Sequence, residues 1–290
     1  ASAFWDEVRR HRVTVCQYIG EICRYLLNQP PRSDDREHTL RAMTGAGLSA
    51  DVWERFQARF GVAQIFEGWG STEANTNLMN LDNRIGSCGR IPYFERSNLR
   101  LARYDIEGDE LLRDERGLCI ECGPGEVGEL VIELRDAPRS ALGDFKGYTD
   151  NAATQKKISS NVFAQGDRHF RSGDLMRFDE NDYFYFVDRI GDTFRWKGEN
   201  VSTAEVAEVI SVAPGVLGAT VSSVPVAGME GQAGLAALEV ADSFEIAAFW
   251  RAAQGLPSYA QPRFVRLLPR LSTTGTFKLQ KAQLRIDGVD

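Results

Sequence analysis

Hydrophobic and polar positions along the first ninety residues follow two alternating periods. The apolar run VTVCQYI (13–19) predicts a strand, whereas EICRYLLNQ (21–29) and LSADVWERFQARFG (48–61) carry helical spacing. In the second of these helices we expect Ser49 as the N-cap and Gly61 as the C-cap. Alternation of strands with helices predicts a parallel α/β layer in this part of the chain.

The pattern changes near Arg90 and again near Arg189. GEVGELVIEL (125–134) and DYFYFVD (182–188) alternate between apolar and polar residues and predict a β-rich subdomain. A capping-box helix, STAEVAEVI (202–210), then precedes further strands and a helix, which is typical of a compact α+β domain. We therefore predict an α/β protein with domain boundaries at 1–90, 91–188 and 189–290.

Composition narrows the class of protein. The chain of 290 residues has a formal net charge of −7 and no dense basic face, which argues against nonspecific nucleic-acid binding. No apolar run is long enough to span a bilayer, and membrane association stays open. Five cysteines without a framework spacing fit a reducing cytosol, so we expect a cytoplasmic protein. Cys119 and Cys122 lack the second pair that a zinc site needs, and we expect incidental thiols.

Two glycine-containing stretches could face a ligand. In TGAGLS (44–49), backbone N–H groups at a helix N-terminus could meet an anion or a purine edge, although an ordinary turn is the alternative. Its spacing matches neither a Walker loop nor a Rossmann fingerprint. In FEGWGSTEANTN (66–77), hydroxyl groups could bind an anion, and Glu73 could hold a metal ion. The alternative there is a polar strand-to-helix turn.

Three later stretches add charged groups. Asp174 in FRSGDL (170–175) follows a tight glycine turn, where a carboxylate could accept from two ribose hydroxyls or merely cap a turn. The segment DRIGDTFRWKGEN (188–200) is polar and glycine-punctuated, so we expect a hinge, with a solvated linker as the alternative. Lys278 follows a hydroxyl-rich turn and could reach a phosphate, although most lysines are simply exposed.

Taken in order, these motifs resemble the adenylate-forming acyl-CoA synthetases, and within them the branch of fatty acid transport proteins and very-long-chain acyl-CoA synthetases. The resemblance covers essentially the whole chain, and GDTFRWKGENVST (191–203) is its most specific part. It implies a ligase that activates a long- or very-long-chain fatty acid with Mg-ATP to an acyl-adenylate and passes the acyl group to coenzyme A.

The resemblance also implies a role for each motif residue. Lys278, Thr72 and Glu73 would be catalytic, with Lys278 bridging the substrate carboxylate and the α-phosphate and Glu73 holding Mg²⁺. Trp69 would stack on adenine, and Asp174 would bind the ribose hydroxyls with help from Arg189. The residues expected to contact the nucleotide are Gly45, Ala46, Gly47, Trp69, Gly70, Ser71, Thr72, Asp174 and Arg189. Trp196, Lys197 and Gly198 would line the coenzyme A path, and Gly191 would be the hinge.

One family motif is missing. The sequence contains no Ser/Thr/Gly-rich phosphate loop, so we expect a fragment of a longer enzyme that is inactive alone, lacks its N-terminal half and self-associates through the exposed apolar face. Two alternatives to the coenzyme A ligase stay open. One is a fatty-acid uptake or binding protein with secondary ligase activity, and the other is a ligase that passes its acyl-adenylate to a carrier protein.

Overall fold

The computed structural model describes residues 1–71, 76–134, 151–226, 228–229, 231–274 and 279–289. These residues form two compact units. One combines residues 1–65 with residues 191–290 and is called here the split unit; the other, residues 66–190, is called the central unit.

The first segment of the split unit alternates helices and strands as predicted. Its elements are α1 (Phe4–Arg10), β1 (Val15–Ile19), α2 (Gly20–Leu27), β2 (Ala42–Ala46) and α3 (Ala50–Phe60). Strands β1 and β2 pair in parallel, with Tyr18 opposite Gly45. Trp53, Phe56 and Phe60 recur at helical spacing on α3, and all three are buried in the core of this segment.

The central unit consists mainly of antiparallel strands. β3 (Gln64–Ser71) runs into it from the split unit and pairs there with β4 (Thr76–Met79). Its other elements are β5 (Gly89–Arg90), a 3₁₀ helix (Phe94–Arg96), β6 (Leu99–Asp105), β7 (Glu110–Leu111), β8 (Gly128–Glu133), α4 (Asn151–Lys156), β9 (Ile158–Ser160), β10 (Arg168–Phe178) and β11 (Tyr183–Arg189). Among the described residues, a sheet in the order β5-β11-β10-β8-β6-β7, with β9 beside β10, carries the core.

The second segment of the split unit contains a hairpin and a three-stranded sheet. Its elements are β12 (Phe194–Trp196), β13 (Glu199–Val201), α5 (Thr203–Ser211), β14 (Val216–Pro225), β15 (Gln232–Val240), α6 (Ile246–Ala253), β16 (Phe264–Leu268) and α7 (Ala282–Asp287). β15 lies between β14, its antiparallel neighbour, and β16, its parallel neighbour. Residues of α5 and α6 share one core cluster with this sheet, and Leu284 of α7 packs in a second.

Helix α5 begins with the predicted cap. The Ser202 hydroxyl accepts a hydrogen bond from the Glu205 N–H at 3.1 Å. This segment has the α+β composition expected of it, and the mixed architecture of the chain confirms the predicted α/β class. The compact units meet at residues 65 and 190. The domain boundaries at residues 90 and 188 stay predictions.

Candidate functional site

Asp174 lies at an irregularity in the middle of strand β10. The register of β10 against β8 shifts between Arg171 and Leu175, so Ser172–Asp174 bulge out of the ladder. Gly173 has φ of +80°, a backbone conformation that side chains with a Cβ rarely adopt. The Asp174 N–H donates to the Ser172 hydroxyl at 3.0 Å. The bulge therefore presents a carboxylate from a rigid strand.

A buried glutamate holds this bulge from the neighbouring strand. Glu129 Oε2 accepts from Arg171 Nε at 2.8 Å, and Glu129 Oε1 accepts from the Gly173 N–H at 3.1 Å. Burial raises the pKa of the Glu129 carboxyl, whereas the hydrogen bond and charge of Arg171 oppose that rise. Glu129 was not among the site residues predicted from the sequence. The available signal for it was a charged residue among the buried positions of the strand GELVIE (128–133).

Trp69 and Arg189 lie on either side of the Asp174 carboxylate. The Trp69 indole N–H donates to Asp174 Oδ2 at 2.7 Å, and Arg189 Nε lies 3.7 Å from Asp174 Oδ1. Arg189 faces Asp174 across the β10–β11 pair, and its side chain is 60% exposed, against 16% for Asp174. The central unit thus brings together three predicted site residues. The Asp174 carboxylate lies between the Trp69 N–H, which is a buried donor, and the exposed guanidinium of Arg189.

The GWGSTE stretch begins within strand β3, which extends to Ser71. Gly70 pairs with Asn77 and Ser71 with Thr76 across the antiparallel β3–β4 pair. The strand-to-helix alternative for this stretch is therefore wrong, because a second strand follows. Thr72 and Glu73 lie outside the described residues.

Gly45, Ala46 and Gly47 lie where β2 ends and the chain turns toward α3, as predicted. A Cβ at Gly45 would lie 2.2 Å from the Tyr18 carbonyl oxygen, so the close packing of β1 on β2 requires glycine there. These three residues belong to the split unit, whereas Trp69, Asp174 and Arg189 belong to the central unit.

The N-terminus of α3 is capped by a distant residue. Glu208 Oε1 accepts from the N–H groups of Ala50 and Asp51 at 3.0 and 3.4 Å. Ser49 is the N-cap residue, as predicted, but its hydroxyl donates to the Asp51 carboxylate and makes no capping bond to the helix. A carboxylate is favoured at a helix N-terminus by the helix dipole. Burial raises the pKa of Glu208, and the Asp51 charge raises it further. The predicted Gly61 C-cap is confirmed, with φ of +74°.

The expected hinge segment contains a β-hairpin. Phe194, Trp196 and Val201 point into the core of the split unit, and Lys197 and Gly198 form the turn between β12 and β13. The alternative of a solvated linker is therefore wrong for residues 194–201, because three apolar side chains there are buried. Gly191, with φ of +86°, is the first residue of the second segment of the split unit.

An ion-pair cluster ties the end of the chain to the start of this segment. Lys281 Nζ contacts Asp192 Oδ2 at 3.0 Å and Thr203 Oγ1 at 2.7 Å, and Arg285 also bonds to Asp192. Lys278, the predicted catalytic lysine, lies outside the residues that the structure describes.

No group of three or more His, Cys, Asp or Glu side chains is placed to hold a metal ion within the described part of the chain. Cys119 and Cys122 are buried there as free thiols. Nor does any helix of the described residues have the length and apolar character needed to cross a membrane.

Comparison with known proteins shows which family this chain resembles in sequence. The family model described as AMP-binding enzyme matches residues 1–136. Human long-chain fatty acid transport protein 1 is 47% identical over 298 residues, covering 100% of this chain and 45% of the relative. Rat long-chain fatty acid transport protein 2 is 42% identical over 294 residues, covering 99% and 47%. The chain thus spans less than half the length of these relatives.

Solved structures agree on the fold. ATP-bound MatB from Rhodopseudomonas palustris superposes with a TM-score of 0.76 at 24% identity, covering 99% of this chain and 52% of MatB. The motifs, the relatives and the fold agree, and the chain belongs to the AMP-binding family of adenylate-forming enzymes, in the branch of the long-chain fatty acid transport proteins.

Proposed function

We propose that the full-length protein is an ATP-dependent ligase that joins long- or very-long-chain fatty acids to coenzyme A. In the first step a carboxylate oxygen of the fatty acid attacks the α-phosphorus of ATP, and pyrophosphate leaves. In the second step the coenzyme A thiolate attacks the acyl carbonyl carbon, and AMP leaves. A carboxylate resists nucleophiles, so adenylation supplies the leaving group that thioester formation needs.

The arrangement of Trp69, Asp174 and Arg189 is the observation that carries this proposal. A carboxylate can accept from two neighbouring hydroxyls at once, as the 2′- and 3′-hydroxyls of a ribose require. The bulge fixes the backbone of Asp174, and Trp69 fixes one of its oxygens, so the acceptor is oriented before a ligand arrives. Arg189, exposed beside it, can follow the anionic nucleotide.

The remaining roles follow the family resemblance. Two anions must meet in the first step, so cations have to offset their repulsion. Lys278 is proposed to bridge the carboxylate and the α-phosphate, with Thr72 on the phosphates. Glu73 is proposed to hold Mg²⁺, which would neutralise triphosphate charge when bound.

The other assigned residues belong to the split unit. Gly45, Ala46 and Gly47 are proposed to line the base, and Gly191 to act as the hinge between the two steps. The exposed turn Lys197–Gly198 is proposed to line the coenzyme A path. Trp196 is only 4% exposed, so its contribution to that path is support of the turn.

A second candidate function is fatty-acid uptake or binding with secondary ligase activity. It is favoured by the relatives themselves, which are named long-chain fatty acid transport proteins. Transfer of the acyl group to a carrier protein is the alternative within the same chemistry. We also propose that the protein is cytoplasmic and that it self-associates. A clean monomer in light scattering at high concentration would contradict the latter.

The test is ATP-dependent loss of free coenzyme A thiol in the full-length protein, with acids of increasing chain length and Mg²⁺ present. Thiol loss that requires both ATP and a long-chain acid, with AMP formed in equal amount, supports the ligase. AMP release without thiol loss points to another acceptor. Saturable fatty-acid binding with neither product supports the uptake function.

A further inference from the structure

Trp69 is placed in this structure as a core residue. The family resemblance implies that Trp69 stacks on adenine, and such stacking needs an accessible ring face. Only 9% of Trp69 is exposed, and the ring belongs to the central-unit core with its cross-strand neighbour Leu78. On β3, Glu67 and Trp69 point to the buried side, while the next strand residue, Gly70, is exposed. The ring therefore offers little surface to a base.

The polar edge of the same ring has a defined partner. The Trp69 N–H donates to Asp174 Oδ2 at 2.7 Å, a short bond to a charged acceptor. An indole N–H can only donate, so this bond persists only while the carboxylate keeps its orientation toward Trp69. Because the ring is held by core packing, its N–H is a fixed hydrogen-bond donor for the Asp174 carboxylate.

A second, independent contact fixes the backbone beneath that carboxylate. Glu129 Oε1 accepts from the N–H of Gly173, the residue before Asp174. With its backbone and Oδ2 both held, Asp174 presents Oδ1 toward the side of Arg189, whose Nε lies 3.7 Å away. An acceptor held in one orientation loses less conformational entropy when it binds its ligand.

We infer that Trp69 is a positioning residue, whose indole N–H orients the Asp174 carboxylate for the hydroxyls of the ribose. The inference rests on the proposed function, because it takes Asp174 as the ribose acceptor. It differs from base stacking in one measurable respect. Removing the N–H while keeping an aromatic ring should weaken recognition of the sugar and spare recognition of the base.

The experiment compares wild type and Trp69→Phe in the full-length protein, using fatty-acid-dependent exchange of pyrophosphate with ATP or with 2′-deoxyATP. We expect the preference for ATP over 2′-deoxyATP to fall about tenfold in the variant, the effect of one hydrogen bond to a charged group. The change should appear in KM for ATP, with kcat little altered. In an Asp174→Ala background, Trp69→Phe should have no further effect on the preference.

Leu78→Ala is the control for packing. It disturbs the same core cluster and keeps the indole N–H, so it should lower thermal stability and leave the sugar preference unchanged. The inference is overturned if Trp69→Phe keeps the wild-type preference for ATP over 2′-deoxyATP. It is also overturned if Leu78→Ala lowers that preference as much as Trp69→Phe does.

A second measurement needs no substitution at Trp69 and covers the case of a variant that does not fold. In ¹⁵N-tryptophan-labelled wild type, an indole resonance sensitive to Asp174→Ala should shift with ATP and much less with 2′,3′-dideoxyATP. Equal shifts with both nucleotides indicate stacking and overturn the inference. Absence of fatty-acid-dependent exchange in the wild type would instead contradict the proposed function, and the nucleotide titration would still test the role of Trp69.

Discussion

Glu129 and Arg171 form an ion pair across the neighbouring strands β8 and β10, with Glu129 Oε2 2.8 Å from Arg171 Nε and 2.7 Å from a terminal guanidinium nitrogen, and with the Arg171 side chain 24% exposed. Glu129 is 0% exposed. The pair brackets the bulge that carries Asp174, since Arg171 precedes that bulge and Glu129 accepts from Gly173 within it. Replacing the buried partner of such a pair strongly destabilises the folded protein, because the remaining charge is left without its partner.

Glu129→Ala should therefore destabilise the protein by about 3–5 kcal/mol. The matched control is Glu126→Ala. Glu126 also accepts from an arginine, Arg103, and from a glycine N–H, that of Gly123, but its side chain is 41% exposed. Loss of that exposed pair should cost much less, because solvent screens the interaction. Urea unfolding of both variants measures the difference. Equal costs would contradict the importance given to burial at Glu129.

Glu208 should make stability depend on pH. Its pKa is raised in the folded protein by burial and by Asp51, so the folded state binds a proton more readily than the unfolded state. Its contribution to the free energy of unfolding therefore falls as pH rises above the unfolded value of about 4.3. Glu208→Gln keeps an oxygen acceptor without this titration, so its stability relative to wild type should increase with pH across that window.

Glu208→Ala is the companion variant. It leaves the N–H groups of Ala50 and Asp51 without their acceptor and should cost about 1–2 kcal/mol at neutral pH. Denaturant titrations at several pH values measure both variants. A Glu208→Gln difference that is constant with pH would show that the carboxyl does not have the raised pKa.

Gly45→Ala should be strongly destabilising. The new Cβ would meet the Tyr18 carbonyl oxygen at 2.2 Å, which forces β1 and β2 apart. We expect a loss of about 3 kcal/mol, the upper end for overpacked sites. Gly70→Ala is the control for a strand glycine with room, because its Cβ would have no neighbour closer than 3.8 Å. That variant should match wild type or be slightly more stable. Thermal unfolding of the two variants should rank them in this order.

Lys278→Ala should separate the two half-reactions in the full-length protein. Without the proposed cation between carboxylate and α-phosphate, adenylation should slow by about 10²-fold or more. Thioester formation from preformed acyl-adenylate should continue at a rate near that of wild type. Lys156→Ala removes an exposed lysine on α4 and serves as the control for charge. Equal slowing of both half-reactions would contradict the role proposed for Lys278.

Local patterns predicted much of the fold. The stripe Trp53, Phe56 and Phe60 placed α3, and the Ser202 cap placed the start of α5, because both signals lie within one or two helical turns. The hairpin at 194–201 was missed because its three charged residues are as many as its three buried apolar residues, so the segment has a polar character overall.

Contacts between distant residues were beyond such patterns. Glu208 caps α3 from 158 residues away, so Ser49 was the only cap that the local sequence offered. Glu129 acts across a strand pair on a bulge whose register no local spacing predicts. Asp174 itself was found from FRSGDL, but its bond to Trp69 joins residues 105 positions apart.

The most direct test of the central claim is exchange of labelled pyrophosphate into ATP by the full-length protein, with and without a long-chain fatty acid. We predict exchange that requires the fatty acid and that falls about tenfold or more at low ATP concentration in Asp174→Ala, because the ribose acceptor is then missing. Exchange that is absent with every acid, or that Asp174→Ala leaves unchanged, would contradict the account.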